Sequence, residues 1–535
     1  MHPILRYLNT PFIQAFKKIY FDHIGKSIVF DREKLDSQRH HQHLQSMVQI
    51  NNRLMLPGEP LHAQKRKYLF PAINRYSMGY RMHYMAKIYL TFFALFLLNP
   101  LAKAQPATDT TKLILEFPLV DFPYQNLANK TTGDFFSSYK NPSMSQSLAM
   151  SNNLYSSAHY GINSLIKSKS RFKTRLYRNL AALGFGIFSS YIPFGNGWLH
   201  EEYHRAVMTR RGVNSFNQMN TFPFGNVTVS VNRIRDEDLI MLSDEYNIDF
   251  RRLLVAGMEG EFAQIRELQK NNFYYNQGLP NIPLYWLSTL NSISYLNGLS
   301  QYDELIDQAN EVELSVDSRD FTGPDYTAWV AALFNPQRPY EERGIHPSGV
   351  GINRYIKTTD LNDDEIGYLK KQGQLHWLNV ISPQLFGFKR IRLKSDERGA
   401  YYGNFAVRHV LTPFGNSISL DLFYQTPANN YFFSLHNYNN LHQSFFGIEG
   451  VIIDKKITNK LMISSRGILW TQPGSQAFSD HRANLGGAFN IRNSLDLNHL
   501  RFFLDVEAKS AGWLMGNVFL EENVSFILGF NVRIN

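Results

Sequence analysis

Two histidines and a glutamate in residues 198–205 have the types and the spacing of a metal-dependent hydrolytic site. The segment reads Trp-Leu-His-Glu-Glu-Tyr-His-Arg, which places His200 and His204 four positions apart. On an α-helix, positions i and i+4 lie on one face, so both imidazoles can bind one metal ion. Glu201 then lies beside that pair, where a carboxylate can take a proton from a metal-activated water.

The surrounding residues predict the helix that this motif needs. Asn196 is a favourable N-cap residue, no proline falls within 197–211, and a basic last turn precedes Gly212. We therefore predict a helix of about four turns. The alternative interpretation is a surface helix whose histidines are only solvated or capped.

The His-Glu-x-x-His motif resembles that of the zinc metallopeptidases, or zincins. The metzincin pattern needs a glycine at position 207 and a histidine at position 210, where this chain has Val207 and Arg210. The thermolysin type has a glutamate on the next helix, but residues 221–232 contain no acidic residue. The remaining resemblance is to the gluzincins, and it implies Zn²⁺, peptide-bond hydrolysis and a third ligand that is a glutamate on a later helix.

Two glutamates on the predicted helix 250–271 are candidates for that third ligand. Both interrupt an apolar run, and a buried carboxylate is costly unless it is paired or bound to a metal. Glu259 is the preferred ligand because its small neighbours would let the motif helix approach closely, and Glu261 is the alternative. The competing interpretation for both is a salt bridge to Arg252 or Arg266.

Composition argues against a nucleic-acid partner. Residues 1–104 hold 15 Lys and Arg against 5 Asp and Glu, so this segment accounts for the whole net charge of +10. The 40 Phe and 29 Tyr are numerous for a chain with only 19% charged residues, and they indicate an apolar environment. The absence of cysteine excludes disulfides and thiolate ligands, and with an export signal it favours a bacterial envelope protein.

The export signal is predicted at residues 85–104. A short basic segment is followed by the apolar run 88–98 and by Ala-Lys-Ala before Gln105, which is the pattern of a secretory signal peptide. Residues 1–84 are interpreted as a spurious or disordered extension. Residues 105–170 are expected to form an irregular leader with one helix near 144–168, and residues 171–390 the helical zincin-like domain.

The period of the pattern changes in residues 395–535, where apolar and polar residues alternate. Eight such runs are predicted as strands: 401–409, 416–425, 430–438, 444–454, 459–470, 483–493, 499–509 and 523–534. Each can cross a bilayer as a tilted strand, so we expect a small outer-membrane β-barrel in contact with lipid. A soluble antiparallel β domain is the alternative.

The sequence thus predicts an α+β protein in which a helical zinc-binding domain precedes an antiparallel β domain. The expected function is that of an exported envelope metallopeptidase at the outer membrane, with a periplasmic or surface domain and an envelope peptide or protein as substrate. A short strand at 226–233 is a candidate for pairing with an extended substrate. The competing hypothesis is a non-enzymatic outer-membrane structural or transport protein in which the motif arose by chance.

Overall fold

The computed structural model describes residues 112–133, 140–220, 229–298 and 301–534. The extension predicted at 1–84 and the signal peptide predicted at 85–104 lie outside these residues. The described part combines eleven α-helices with a large antiparallel sheet, so the predicted α+β class is confirmed. No helix in the described ranges has both the length and the apolar character that a membrane crossing needs.

Apart from one strand at the start of the described chain, the helices precede the long strands, as the sequence predicts. Their bounds are α1 (Tyr124–Thr132), α2 (Met144–Leu165), α3 (Arg171–Ser189), α4 (Asn196–Arg210), α5 (Asp236–Asp244), α6 (Asn247–Leu253), α7 (Ala256–Tyr274), α8 (Ile282–Asn297), α9 (Tyr302–Val312), α10 (Asp325–Phe334) and α11 (Asp363–Leu375). The single helix predicted at 250–271 is divided into α6 and α7 by a break at Leu254 and Val255.

Helix α4, which carries the motif, lies in the middle of the helical core. Its side chains are buried on nearly all sides, and Leu199, Tyr203 and Val207 belong to the main apolar cluster together with Met258 and residues of later helices. The alternative of a solvated surface helix is therefore wrong. A central position gives the motif histidines a rigid support, because a packed helix has little freedom to shift.

The strands form one large sheet and one small one. Their bounds are β1 (Leu113–Phe122), β2 (Phe216–Asn217), β3 (Val231–Asn232), β4 (Ile391–Asp396), β5 (Gly399–Thr412), β6 (Gly415–Gln425), β7 (Asn430–Asn439), β8 (Ser444–Lys456), β9 (Leu461–Pro473), β10 (Ala483–Leu497), β11 (Leu500–Lys509) and β12 (Asn523–Ile534). The eight strands predicted in the C-terminal region correspond to β5 through β12.

The large sheet differs from the expected barrel in two ways. It has ten strands in the order β1-β12-β11-β10-β9-β8-β7-β6-β5-β4, and no pairing among the described strands joins β1 to β4. The sheet is therefore open, and the expected closed barrel of about eight strands is not what the structure has. The additional strands are β4, which has only 6 residues, and β1, whose apolar and polar residues do not alternate and which contains Pro118.

Strand β1 also changes the expected organisation of residues 105–170. The sequence predicts an irregular segment apart from one helix; α2 is that helix, and α1 is a second helix that the pattern does not predict. Strand β1 instead pairs antiparallel with the last strand, with Leu113 opposite Ile534 and Phe122 opposite Phe526. The start of the described chain is thus part of the C-terminal sheet.

The small sheet lies near the motif helix. Strand β3 pairs with β2, and the predicted strand at 226–233 is described only from residue 229 onward. The backbone of Val231 also accepts from the N–H of Phe321, and its own N–H donates to the carboxylate of Asp320. Both sides of β3 are therefore bonded within the protein, which does not favour the predicted pairing of this strand with a substrate.

Candidate metal centre

Three ligand-type side chains converge beside α4. The Nε2 atom of His200 lies 3.3 Å from Oδ2 of Asp325, and the Nε2 atom of His204 lies 3.8 Å from the same oxygen. One ligand atom from each of the three residues lies within 4.8 Å of the others. Ligand atoms about 2.1 Å from a tetrahedral zinc ion lie about 3.4 Å apart, and the two separations from Asp325 are close to this value.

The second nitrogen of each imidazole is held by a group outside the triad. Nδ1 of His200 lies 2.9 Å from Oε1 of Glu261, and Nδ1 of His204 lies 2.5 Å from the carbonyl oxygen of Leu253. Both acceptors require the proton to be on Nδ1, which leaves Nε2 with a lone pair for a metal. Such partners fix the tautomer and the ring orientation of metal-binding histidines.

The break between α6 and α7 explains why the carbonyl of Leu253 is available to His204. In a continuous helix this oxygen would accept from the backbone N–H four residues later. The chain leaves the helical path at Leu254 and Val255, and the helix resumes at Ala256. The break therefore directs a backbone acceptor at the histidine.

Asp325 is the first residue of α10 and is positioned by two contacts with Tyr295. Its backbone N–H donates to the hydroxyl of Tyr295 at 2.9 Å, and that hydroxyl lies 3.3 Å from its Oδ2. The start of a helix also favours a negative charge. Asp325 is 5% exposed, so its carboxylate is held in a dry position where an ionic partner is expected.

Close approach of α4 and α7 depends on two glycines of α7. A Cβ placed on Gly257 would lie 2.2 Å from ring atoms of His200, and one on Gly260 would lie 2.9 Å from the ring of Tyr203. Any larger residue would therefore push the two helices apart. The expectation that small residues let the motif helix approach this later helix is consistent with this packing.

Glu201 is buried next to the triad, with 6% of its surface exposed. Burial raises the pKa of its carboxyl well above the ordinary value; His200 lowers that pKa, and Asp320 and Asp325 raise it. A cation at the triad would lower the same pKa and keep the carboxylate ionised.

The pKa values of the two histidines are shifted in opposite directions. Burial opposes a charge on His200, but the hydrogen bonds to Asp325 and Glu261 raise its pKa well above the ordinary value. Burial lowers the pKa of His204 to about 4, although Asp325 acts in the opposite direction. A metal ion would displace the proton from His200, since only a neutral imidazole nitrogen binds a metal.

Glu259, the preferred third ligand, is placed elsewhere. It is fully buried and pairs with Arg252, with Nη2 of the arginine 2.9 Å from Oε1. The backbone N–H of Gly516 donates to the same oxygen at 2.7 Å, and the indole of Trp513 lies 3.3 Å from Oε2. This arrangement matches the alternative of a salt bridge to Arg252, and Glu259 is not part of the triad.

Asp325 was missed because its local sequence has another ordinary explanation. It follows Gly323 and Pro324 and begins a helix, a position where an acidic residue commonly stabilises the helix dipole. The resemblance to the gluzincins implies a glutamate as the third ligand, so it does not select an aspartate. The useful signal would have been an acid that begins an almost entirely apolar helix, since α10 otherwise reads Tyr-Thr-Ala-Trp-Val-Ala-Ala-Leu-Phe.

Comparison with known proteins adds no further assignment, since no family model, curated protein or solved structure matches the chain. The function has to be inferred from the geometry of the site.

Proposed function

We propose that this protein is a zinc-dependent peptidase of the bacterial cell envelope. The observation that carries the proposal is the convergence of His200, His204 and Asp325, with both histidines oriented by bonds at Nδ1. The export signal predicted from the sequence supports an envelope location, and an envelope peptide or protein is the proposed substrate.

Zinc is the metal that this donor set favours. Two imidazole nitrogens and one carboxylate oxygen are typical of catalytic zinc sites, which keep a fourth position open. Harder ions such as Mg²⁺ and Ca²⁺ prefer sets made of oxygen atoms alone. The side chain of His200 is 13% exposed whereas that of His204 is 1% exposed, so the triad opens toward solvent on the His200 side.

The hydrolytic step assigns a separate role to Glu201. A bound zinc ion would polarise the peptide carbonyl and activate the attacking water. Glu201 takes the proton from the water as its oxygen forms the new bond to the carbonyl carbon. It then gives that proton to the nitrogen as the carbon–nitrogen bond breaks, which releases a carboxylic acid and an amine.

The first test measures the metal content of the purified full-length chain. We expect one equivalent of zinc, and we expect that His204→Ala and Asp325→Ala abolish its retention. His442→Ala is the matched control, because this exposed histidine lies outside the site. Absence of zinc from protein refolded or purified with zinc present would contradict the proposal and favour the non-enzymatic alternative.

The second test separates metal binding from catalysis. Glu201→Gln keeps the volume of the side chain but cannot accept a proton, so we expect a full equivalent of zinc and a loss of peptide hydrolysis of at least about 100-fold. Hydrolysis is measured with a mixture of quenched fluorescent peptides. Unchanged hydrolysis in the Glu201→Gln variant would refute the assigned mechanism even if zinc is present.

A further inference from the structure

The ten-stranded sheet carries its charged residues on the face that is covered by the helices. Arg408 pairs with Asp421 across β5 and β6 at 2.6 Å, and Glu449 of β8 lies 2.7 Å from Arg466 of β9. Arg266 of α7 completes this network, 2.7 Å from the same glutamate. The inner face of the sheet therefore carries buried ion pairs beside apolar residues such as Phe423 and Phe432, whereas an ordinary soluble sheet packs an almost wholly apolar face on its core.

Large apolar side chains occupy the opposite face and are exposed. The strand register places Leu435 opposite Ile448, and Ile448 opposite Leu469, so three neighbouring strands present an unbroken apolar row. These side chains are 40%, 47% and 63% exposed. Phe433 of β7 and Phe446 of β8 lie on the same face. Similar residues continue this face on the remaining long strands: Phe405, Leu422, Phe489, Leu495, Phe502, Leu504, Val506, Val524, Phe526 and Leu528.

The apolar face also includes β1. Phe117 stacks on Phe530 with ring centroids 5.0 Å apart, and Phe122 stacks on Phe526 at 5.1 Å. The face therefore runs without interruption from β1 through β12 to β5. A continuous apolar surface of this extent is far larger than the patches that a soluble monomer usually exposes.

We propose that this outer face is in contact with the hydrocarbon of a lipid bilayer. An apolar exterior over a polar, ion-paired interior is the arrangement that a sheet needs when its solvent is lipid. The outer face contains none of the triad residues, so the proposed lipid contact does not rest on the proposed peptidase activity.

Strand length and the polar ends of the face fit a bilayer. The strands from β5 to β12 have 10 to 15 residues, and a tilted strand needs about 9 to 11 residues to cross the hydrocarbon layer. The turn between β8 and β9 exposes Lys455, Lys456 and Lys460, while the turns at the other end expose His442 and Arg482. An apolar band with polar residues at both strand ends has the layered polarity of a membrane, which a second protein copy would not require.

Parts of both edges of the sheet are bonded to other segments of the protein, which bears on the main objection to this placement. Lipid cannot bond to free backbone groups, so an open edge within the hydrocarbon layer would be costly. Asn153 of α2 bonds both the N–H and the carbonyl of Glu116 in β1, at 2.9 and 2.7 Å. On the other side, the short, fully exposed strand β4 pairs with residues 399–403 of β5. Beyond β4, the N–H of Val407 in β5 donates to the carbonyl of Ile381, and Asn379 bonds the N–H and carbonyl of His409.

The test of lipid contact begins with binding of the full-length chain to vesicles of phosphatidylcholine and phosphatidylglycerol. We expect the protein to float with the vesicles in a density gradient and to stay bound after washing with sodium carbonate and with high salt. Leu469→Glu, which places a charge in the centre of the face, is expected to reduce floating protein about 10-fold or more. Ile345→Glu is the matched control, because Ile345 is 75% exposed but lies outside the sheet.

A second measurement uses the absence of cysteine in the chain, which allows one cysteine to be introduced and labelled alone. Leu435→Cys and Leu469→Cys remove little side-chain volume from exposed positions, so folding should be retained. A fluorophore at either position is expected to be quenched by lipids brominated on their acyl chains. The same fluorophore on Ile345→Cys is expected not to be quenched.

Three outcomes would overturn the proposal. The first is a folded protein that stays at the bottom of the gradient, and the second is a vesicle-bound protein whose labels at 435 and 469 are not quenched. The third is a stable dimer without lipid or detergent, joined by a disulfide in the Leu469→Cys variant, which would assign the face to a second copy. Loss of zinc or of peptidase activity would affect none of these readouts, so the two proposals fail independently.

Discussion

Glu261 holds the ring of His200 through Nδ1, with 2.9 Å between the two atoms, while the Nε2 atom of the same ring faces Asp325. The residue that was the alternative candidate for direct ligation thus contacts a ligand and positions it. Its other carboxylate oxygen, Oε2, is buried without a hydrogen-bond partner among the described residues. A partner of this kind both orients the imidazole and increases its basicity.

We expect Glu261→Gln to weaken zinc binding about 10- to 100-fold without removing the site. The amide can still accept a hydrogen bond from Nδ1 but carries no charge. The affinity is measured by competition with a chelator of known strength. An unchanged zinc affinity would show that Glu261 has no role in positioning His200.

Glu259→Gln is the matched comparison, and it should lower the stability of the fold without changing the affinity for zinc. Glu259 and Arg252 are both fully buried, and removing one charge of such a pair costs about 3 to 5 kcal/mol of folding free energy. We expect a lower unfolding midpoint in urea and an unchanged zinc affinity in the protein that remains folded. Loss of zinc at full stability would restore Glu259 as a ligand.

The sequence predicted the parts of this protein that depend on local patterns. The spacing of His200 and His204 and the residues around them were sufficient to predict a helix with both imidazoles on one face, and alternation was sufficient for β5 to β12. The third ligand could not be selected in the same way. It depends on which distant segment packs against α4, and Asp325 lies 121 positions after His204.

The choice between Glu259 and Glu261 illustrates the same difficulty. The two residues are only two positions apart on α7, so they project from the helix about 200° apart. One therefore faces α4 and the other faces Arg252 and Gly516. The break before α7 sets the rotation of this helix, and nothing in the apolar pattern marks where that break occurs.

Gly257→Ala tests whether the close approach of α7 to α4 maintains the metal site. The added methyl group would lie 2.2 Å from atoms of the His200 ring, so the ring or the helix has to move. We expect zinc affinity to fall at least about 10-fold, although alanine favours the helix by about 1 kcal/mol. Gly161→Ala in α2 is the control, because a Cβ there meets no atom within 4 Å and should leave zinc binding unchanged.

The pH dependence of stability provides a prediction away from the metal centre. Burial lowers the pKa of His159 to about 4, and its Nδ1 donates to Oδ1 of Asn281 at 2.6 Å. The unfolded chain takes up a proton at this residue below about pH 6.5, whereas the folded chain stays neutral until about pH 4. Stability attributable to His159 is thus complete above about pH 6.5 and is lost as the pH falls toward 4, by up to roughly 3 kcal/mol.

The variant His159→Gln should reduce this dependence, since glutamine can donate to Asn281 but does not titrate. Urea unfolding of both proteins at pH 7.5 and at pH 5 gives the difference between the two pH values. We expect the parent chain to lose more stability between these values than the His159→Gln variant, and His442→Gln, at an exposed histidine, to behave as the parent. An equal loss in the parent and in His159→Gln would assign the acid sensitivity to other buried histidines, such as His376 and His409, because burial lowers the pKa of both below the ordinary value.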